Sequence, residues 1–204
     1  MYDVCASEGC EWALLTAPTE EPLSIAEAKA QARVTHDDED GVWDGYISAA
    51  RAAAEDYMSR GLLTQTWVFT LPYFADSIWL PMAAPLQSVT SIKYYDSAGV
   101  QQTLSTTIYD VDTTSRPGRI VRKPQQTWPS VQSDRIVSRI EITYKVGWTS
   151  KELIPDRIRQ GLLVYVGYLD CDREGLQEYG ERARQAAEAC WSDRVFWKPP
   201  SFVW

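Results

Sequence analysis

The residues that could do chemistry begin with one histidine beside an acidic run. His36 is the only histidine, so a serine or cysteine nucleophile with a histidine base would have to use it. Four consecutive acids follow at 37–40, a pattern typical of a solvated helix start. A calcium loop through the same run would place His36 first and Ile47 twelfth, where acids are required. The run therefore predicts neither a catalytic base nor a calcium site.

The other carboxylates and the thiols form no stronger chemical pattern. Asp110, Asp112 and Glu141 lie on or near predicted strands and could converge as glycosidase or nuclease acids, but their spacing does not favour a pair. Cys5 and Cys10 have no second Cys or His pair nearby, so no zinc site is predicted. Phosphate-binding loops, G-x-S-x-G and H-E-x-x-H are absent. We expect no enzyme activity, catalytic residue, metal or cofactor.

Composition and charge exclude further classes of function. The net charge of −8 argues against a protein that grips nucleic acid through its phosphates. No apolar run reaches about 18 residues and no basic stretch precedes an apolar core, so neither a membrane span nor a secretory signal is predicted. The spacing of the four cysteines is no disulfide framework, which favours a reducing cytosol. Nine Trp and eleven Tyr fit either an aromatic core or a protein interface.

Helical patterns lie at both ends of the chain. Residues 1–22 look irregular, and Ser24 with Glu27 then forms a capping box that begins a short helix ending near Val34. A second helix is predicted over about 41–60, ending at a basic turn with Gly61 beyond it. A third follows Pro155 and is apolar nearly all round, which predicts a central, buried helix. The fourth spans about 173–191.

Strand patterns fill the middle of the chain. Five or six short segments between residues 64 and 146 are rich in β-branched and aromatic residues or alternate in polarity. We predict an α+β fold, a helical bundle of about four helices with an antiparallel β-region inserted between helices two and three. The predicted domains are 1–62 with 150–192 for the bundle, 63–149 for the β-region and 193–204 for an extended tail.

The tail is the clearest candidate for a binding element. It carries large apolar side chains on a proline-broken segment that cannot bury them by folding on itself. It would either pack on its own domain or contact a partner.

Several short motifs, in this order, are similar to those of one known family. They are LSIAEAK at 23–29, RGLLTQTW at 60–67, LP at 80–81, PLQSVTSI at 85–92, DVD at 110–112, PGRI at 117–120, WP at 128–129, ITYKVGW at 142–148 and IPDRIRQG at 154–161. Together, over about residues 20–170, they resemble the head–tail connector, or adaptor, proteins of long-tailed bacteriophages and related gene transfer agents.

The resemblance implies a structural, non-enzymatic role in the virion. It implies a homo-oligomeric ring, commonly of twelve copies, that forms beneath the portal protein, prolongs the DNA channel and docks a stopper or tail-terminator protein. Assembly is expected in the cytoplasm of the host bacterium, with DNA passing without specific binding and no membrane contact. Under this reading the tail binds the portal. Its predicted contact residues are Phe196, Trp197, Pro199, Pro200, Phe202, Val203 and Trp204.

Two alternatives remain open at this stage. One is another phage neck component, such as a stopper or tail-completion protein. The other is a carbohydrate- or ligand-binding β-module in which Trp79 and Trp128 stack on sugars, against the simpler interpretation that both pack in the core.

Overall fold

The computed structural model describes residues 10–132, 139–171 and 178–192. These residues divide into two compact units. The helical unit comprises residues 18–63, 148–171 and 178–192, and the sheet unit comprises 10–17, 64–132 and 139–147. Four helices and antiparallel sheets confirm the predicted α+β class. The predicted domain boundaries, 1–62 with 150–192, 63–149 and 193–204, stay a prediction.

The helical unit contains α1 (Ile25–Ala32), α2 (Asp40–Met58), α3 (Asp156–Cys171) and α4 (Glu178–Trp191). A short 3₁₀ turn, Lys151–Leu153, precedes α3. Each helix buries an apolar stripe in a shared core. Its largest fully buried side chains include Trp43, Ile47, Met58, Leu62 and Trp191.

Two helix predictions need correction. α2 ends at Met58, and Ser59 rather than a glycine takes the left-handed conformation, with φ of 53°. The N–H groups of Ser59 and Arg60 donate to carbonyl oxygens of the last helical turn, so Gly61 lies beyond the cap. α3 is not buried all round: Ile158, Gly161, Leu162 and Val166 are buried, whereas its other apolar residues are half-buried. The predicted start of α4 near residue 173 lies outside the described residues.

The sheet unit contains eight strands in two antiparallel sheets. The five-stranded sheet has the order β1-β2-β8-β4-β5, and the three-stranded sheet has the order β3-β7-β6. The strands are β1 (Glu11–Thr16), β2 (Gln65–Leu71), β3 (Ser77–Trp79), β4 (Leu86–Tyr95), β5 (Gln101–Thr103), β6 (Tyr109–Asp112), β7 (Arg119–Arg122) and β8 (Ile140–Val146). Alternate residues of β2 and β8 face the core, as the period of two requires.

The prediction that residues 1–22 are irregular is wrong for Glu11–Thr16. This segment pairs with β2 as β1, from Glu11 opposite Thr70 to Thr16 opposite Thr66. All six of its residues are exposed, so no burial pattern marks the strand in the sequence. Pairing with the free edge of β2 creates it, which is a tertiary rather than a local cause.

Candidate functional site

The predicted portal-binding residues lie outside the described residues. They are Phe196, Trp197, Pro199, Pro200, Phe202, Val203 and Trp204.

The three candidate acids lie on two different sheets, with Asp110 and Asp112 on β6 and Glu141 on β8. Asp110 Oδ1 lies 3.5 Å from Lys123 Nζ. Glu141 stands on β8 opposite Lys93 of β4, whereas Asp112 ends β6. Among residues 10–132, 139–171 and 178–192, no three or more His, Cys, Asp or Glu side chains are grouped to hold a metal ion. Within the same ranges, no helix has the length and apolar character that crossing a bilayer needs.

The acidic run serves as a structural junction between α1 and α2. The largely buried Lys29 ammonium donates to Asp37 and, over 2.9 Å, to Asp40. These hydrogen bonds raise the pKa of Lys29 and lower that of Asp37. His36 is exposed, with its Nδ1 3.9 Å from Asp38 Oδ2. A groove beside this junction is lined partly by the paired Lys29.

Asp112 organises the hairpin loop between β6 and β7. Its carboxylate accepts hydrogen bonds from the hydroxyl and backbone N–H of Ser115 (2.6 and 3.0 Å) and from those of Thr114 (2.7 and 3.0 Å). Arg119 Nε adds a fifth bond at 3.0 Å. Hydrogen bonds from the Ser115 and Thr114 hydroxyls are the largest causes of the pKa of Asp112 lying far below its usual range. Asp112 is thus a fixed loop anchor rather than a proton donor.

The lowered pKa of Asp112 predicts an acid-dependent stability contribution. Ionised Asp112 stabilises the folded chain above the ordinary carboxyl pKa of 3.8, and this stabilisation is lost as pH falls toward the lower folded-state value. We expect Asp112→Asn to lower the urea midpoint near pH 7. The difference from wild type should shrink as pH falls below about 4, because the unfolded wild-type chain then binds a proton at Asp112 while the folded chain still holds the carboxylate ionised. A difference independent of pH would contradict this assignment.

Ion pairs inside the helical unit link segments that are distant in sequence. The capping box at α1 forms as predicted, with Glu27 N–H donating to Ser24 Oγ and Ser24 N–H donating to Glu27 Oε2. The Glu27 carboxylate also accepts from Arg159 on α3. The Ser24 N–H is the leading cause of the lowered pKa of Glu27. Two of the motifs behind the family resemblance, 23–29 and 154–161, therefore meet at this ion pair.

Glu55 holds the chain where α2 ends. The buried carboxylate accepts from Leu62 N–H at 2.8 Å and from Arg51 Nη1 at 3.1 Å. Arg51 also makes a two-point contact with Glu21, with Nε–Oε2 at 2.8 Å. Beyond the helix end, the guanidinium of the buried Arg60 lies 4.5 Å from the Trp148 ring centroid. The 60–67 and 142–148 motifs thus meet through packing.

Removal of the Glu55 carboxylate should destabilise the helical unit strongly. Glu55→Ala leaves the Leu62 N–H and part of the Arg51 guanidinium without their acceptor in a buried place. We expect a loss of about 3 kcal/mol in the free energy of unfolding. Glu55→Gln keeps an acceptor for Leu62 and should lose clearly less. Urea unfolding followed by far-ultraviolet circular dichroism measures both, and equal losses would contradict the assigned hydrogen bond.

Two glycines allow close approaches that a side chain would block. A Cβ on Gly118, between β6 and β7, would overlap Leu86 of β4. A Cβ on Gly161 of α3 would overlap the indole of Trp191 of α4, whose Nε1 donates to Ile158 O at 3.3 Å. Both glycines belong to family motifs, and both keep the core closed.

The tryptophans proposed as a sugar platform already have partners. Trp128 is stacked on Phe74, with centroids 4.7 Å apart and planes inclined by 8°. The Arg119 guanidinium lies over the Trp79 ring at 4.9 Å. One face of each ring is therefore occupied within the chain, which favours packing over carbohydrate stacking.

The described surface carries an apolar strand that sequence analysis missed. Trp12, Leu14 and Leu15 of β1 are 38%, 44% and 63% exposed. Three apolar side chains on one exposed edge strand form the most concentrated candidate contact surface in the sheet unit. The apolar run at 12–15 was the available signal for this surface.

Residues 22–114 match the family model described as "Phage gp6-like head-tail connector protein". This segment covers α1, α2 and strands β2 to β6. The match confirms the resemblance that the motifs indicated over this part of the chain.

Three similar chains come from gene transfer agent (GTA) particles. A chain in "Neck of empty GTA particle computed with C6 symmetry" has a TM-score of 0.74 and 20% identity, covering 94% of this chain and 98% of that one. A chain in "Virion of native gene transfer agent (GTA) particle" has a TM-score of 0.74, 19% identity and coverages of 93% and 97%. A third chain, from "Neck of native GTA particle computed with C12 symmetry", has a TM-score of 0.65 and 18% identity, covering 92% of this chain and 98% of that one. These likenesses establish the fold. No curated protein matches the sequence.

Proposed function

We propose that this chain is a structural head–tail connector in the neck of a phage or gene transfer particle. One observation carries the proposal: its fold matches a GTA neck chain over almost the full length of both. The connector family match over residues 22–114 supports the same role from sequence. The pairing of Asp110 with Lys123 and of Asp112 with Arg119 fits a structural role for these two acids.

The proposed assembly is a ring, commonly of twelve copies, beneath the portal protein. Two of the similar chains belong to neck structures computed with C6 or C12 symmetry. A closed ring requires a heterologous interface, in which two different surfaces of each copy meet. The ring would prolong the DNA channel and present its far side to a stopper or tail-terminator protein. The place of action is the virion, after assembly in the host cytoplasm.

The charge distribution supports passage of DNA without adhesion. Over the described residues, the helical unit holds sixteen Asp and Glu against nine Lys and Arg, whereas the sheet unit holds six against seven. Carboxylates repel a phosphate backbone, and tight nucleic-acid binding needs clustered cations. We infer that the channel wall repels DNA. Tight, salt-sensitive DNA binding by the purified protein would contradict this inference.

The tail at 193–204 is the proposed portal contact. Phe196, Trp197, Phe202, Val203 and Trp204 would enter pockets of the portal, as large aromatic side chains do at the centres of protein interfaces. Pro199 and Pro200 would hold the segment extended and lower the entropy lost on binding.

The family match favours a connector over a stopper or tail-completion protein, since its description names the head–tail connector. Removal of the gene from a producing strain tests the role. Filled heads without attached tails are expected by electron microscopy, with complementation restoring joined particles. Normal particles from the deletion strain would overturn the proposal.

A further inference from the structure

β1 is an open edge of the five-stranded sheet. It pairs with β2 on one side, and the sheet order places no described strand on its other side. Natural edge strands are usually protected by lysines, prolines, bulges or short length. β1 has six residues and neither lysine nor proline, with a register shift between Leu14 and Thr16 and one charge, Glu11, at its start. Apart from this one irregularity near its C-terminal end, β1 has no such protection against pairing with another chain.

The apolar face of the sheet continues onto β1. Trp12 stands opposite Phe69, and Leu14 stands opposite Trp67. Side chains of directly paired residues lie on the same face, so Trp12 and Leu14 share the face on which the buried Phe69 belongs to the core. Past β2, however, this face is exposed, and Leu14 is 44% accessible. A partner on this flank would complete the burial.

The opposite edge of the same sheet offers a matching surface. β5 is exposed along its length and carries no charged residue. Leu104 N–H donates to Ile92 O, which in antiparallel alternation turns the backbone groups of Gln101 and Thr103 away from β4. Val100, directly before β5, is 54% exposed. This edge therefore offers backbone donors and acceptors beside an apolar side chain, with no like charge to repel β1.

We propose that the β1 edge of one copy docks on the β5 edge of the next copy of this chain. The two edges end one sheet, about 19 Å apart across four strand spacings. They are different surfaces on opposite flanks, as a heterologous, head-to-tail contact requires. The interface rests on the proposed function for its ring geometry, and it deepens that proposal by naming the contact between copies.

Site-specific photo-crosslinking tests the interface in the full-length chain. p-Benzoyl-phenylalanine replaces Leu14 in one sample and Val42 in another, because these side chains have similar exposure (44% and 40%) on different units. A mixture of ¹⁵N-labelled and unlabelled protein at high concentration, and particles carrying each variant, are irradiated. Mixed-isotope peptides then identify contacts between copies. The probe at position 14 should join residues 97–104 of another copy, and the probe at 42 should not.

Substitution of Leu14 tests the same surface in a second experiment. Leu14→Lys places a charge in the contact and should weaken self-association at least about tenfold in sedimentation experiments, whereas Leu14→Met should change it little. Equal effects of Leu14→Lys and Leu14→Met on self-association would overturn the proposal. So would crosslinks from position 14 to another protein or to another region of the chain. The absence of any position-14 crosslink in both the protein mixture and the particles would also overturn it. Gene deletion tests the connector role separately, because crosslinking between purified copies does not depend on particle joining.

Discussion

Deletion of residues 195–204 is expected to abolish binding to the portal protein. The five apolar side chains predicted to enter portal pockets are lost, and truncation of single anchor residues at protein interfaces commonly costs about 2–4 kcal/mol. Since each 1.4 kcal/mol is about a factor of ten, two such anchors alone imply a loss of about 700-fold or more. Pull-down and calorimetric titration with purified portal measure the effect. The helical signal in circular dichroism should be unchanged.

The tail itself offers a matched control. Lys198→Ala removes a charge but keeps every aromatic anchor, so portal affinity should change little. Trp197→Ser with Trp204→Ser should instead reproduce most of the loss caused by deletion. Full portal binding by the deleted chain would show that the contact lies elsewhere, with the tail packed on its own domain.

Replacement of glycine by alanine is expected to destabilise the protein at one position of α3 and to stabilise it at another. Gly161→Ala drives a methyl group into the buried indole of Trp191 and disturbs its hydrogen bond to Ile158. Overpacking of this kind costs about 1–3 kcal/mol. Gly167→Ala meets no atom within 4 Å and gains helix propensity, which should stabilise by up to about 1 kcal/mol.

Thermal and urea unfolding of the two variants separate steric cost from propensity. Both substitutions gain the same helical preference, so their difference isolates the contact between α3 and α4. A shift of Trp191 fluorescence should accompany Gly161→Ala alone. Stabilisation by both substitutions would mean that the close approach of Gly161 to Trp191 is wrong.

The sequence was most informative where local physics decides the structure. The capping box at Ser24 and Glu27 formed as expected. Strand β7 lies within the part of the chain predicted to form strands, and α2 buries Trp43, Ile47 and Ala50. Period, capping and side-chain branching suffice for such features. The family motifs likewise proved to be residues that hold the fold, such as Arg60 and Gly118.

Tertiary causes account for the misses. β1 has no burial pattern, because it exists only through its pairing with β2. The cap of α2 fell on Ser59 because Glu55 fixes the following turn through Leu62, a contact seven residues away. β3 lies in a proline-punctuated stretch and forms by pairing with β7. Contact surfaces are the least predictable, since local physics specifies folding but not the partner.

A reconstruction of the neck of purified particles, without imposed symmetry, tests the connector role most directly. We expect a ring between portal and tail into which this fold fits, with adjacent copies meeting through β1 and β5 and with tails entering the portal. A neck built wholly from other proteins, with this chain missing from the particle, would contradict it.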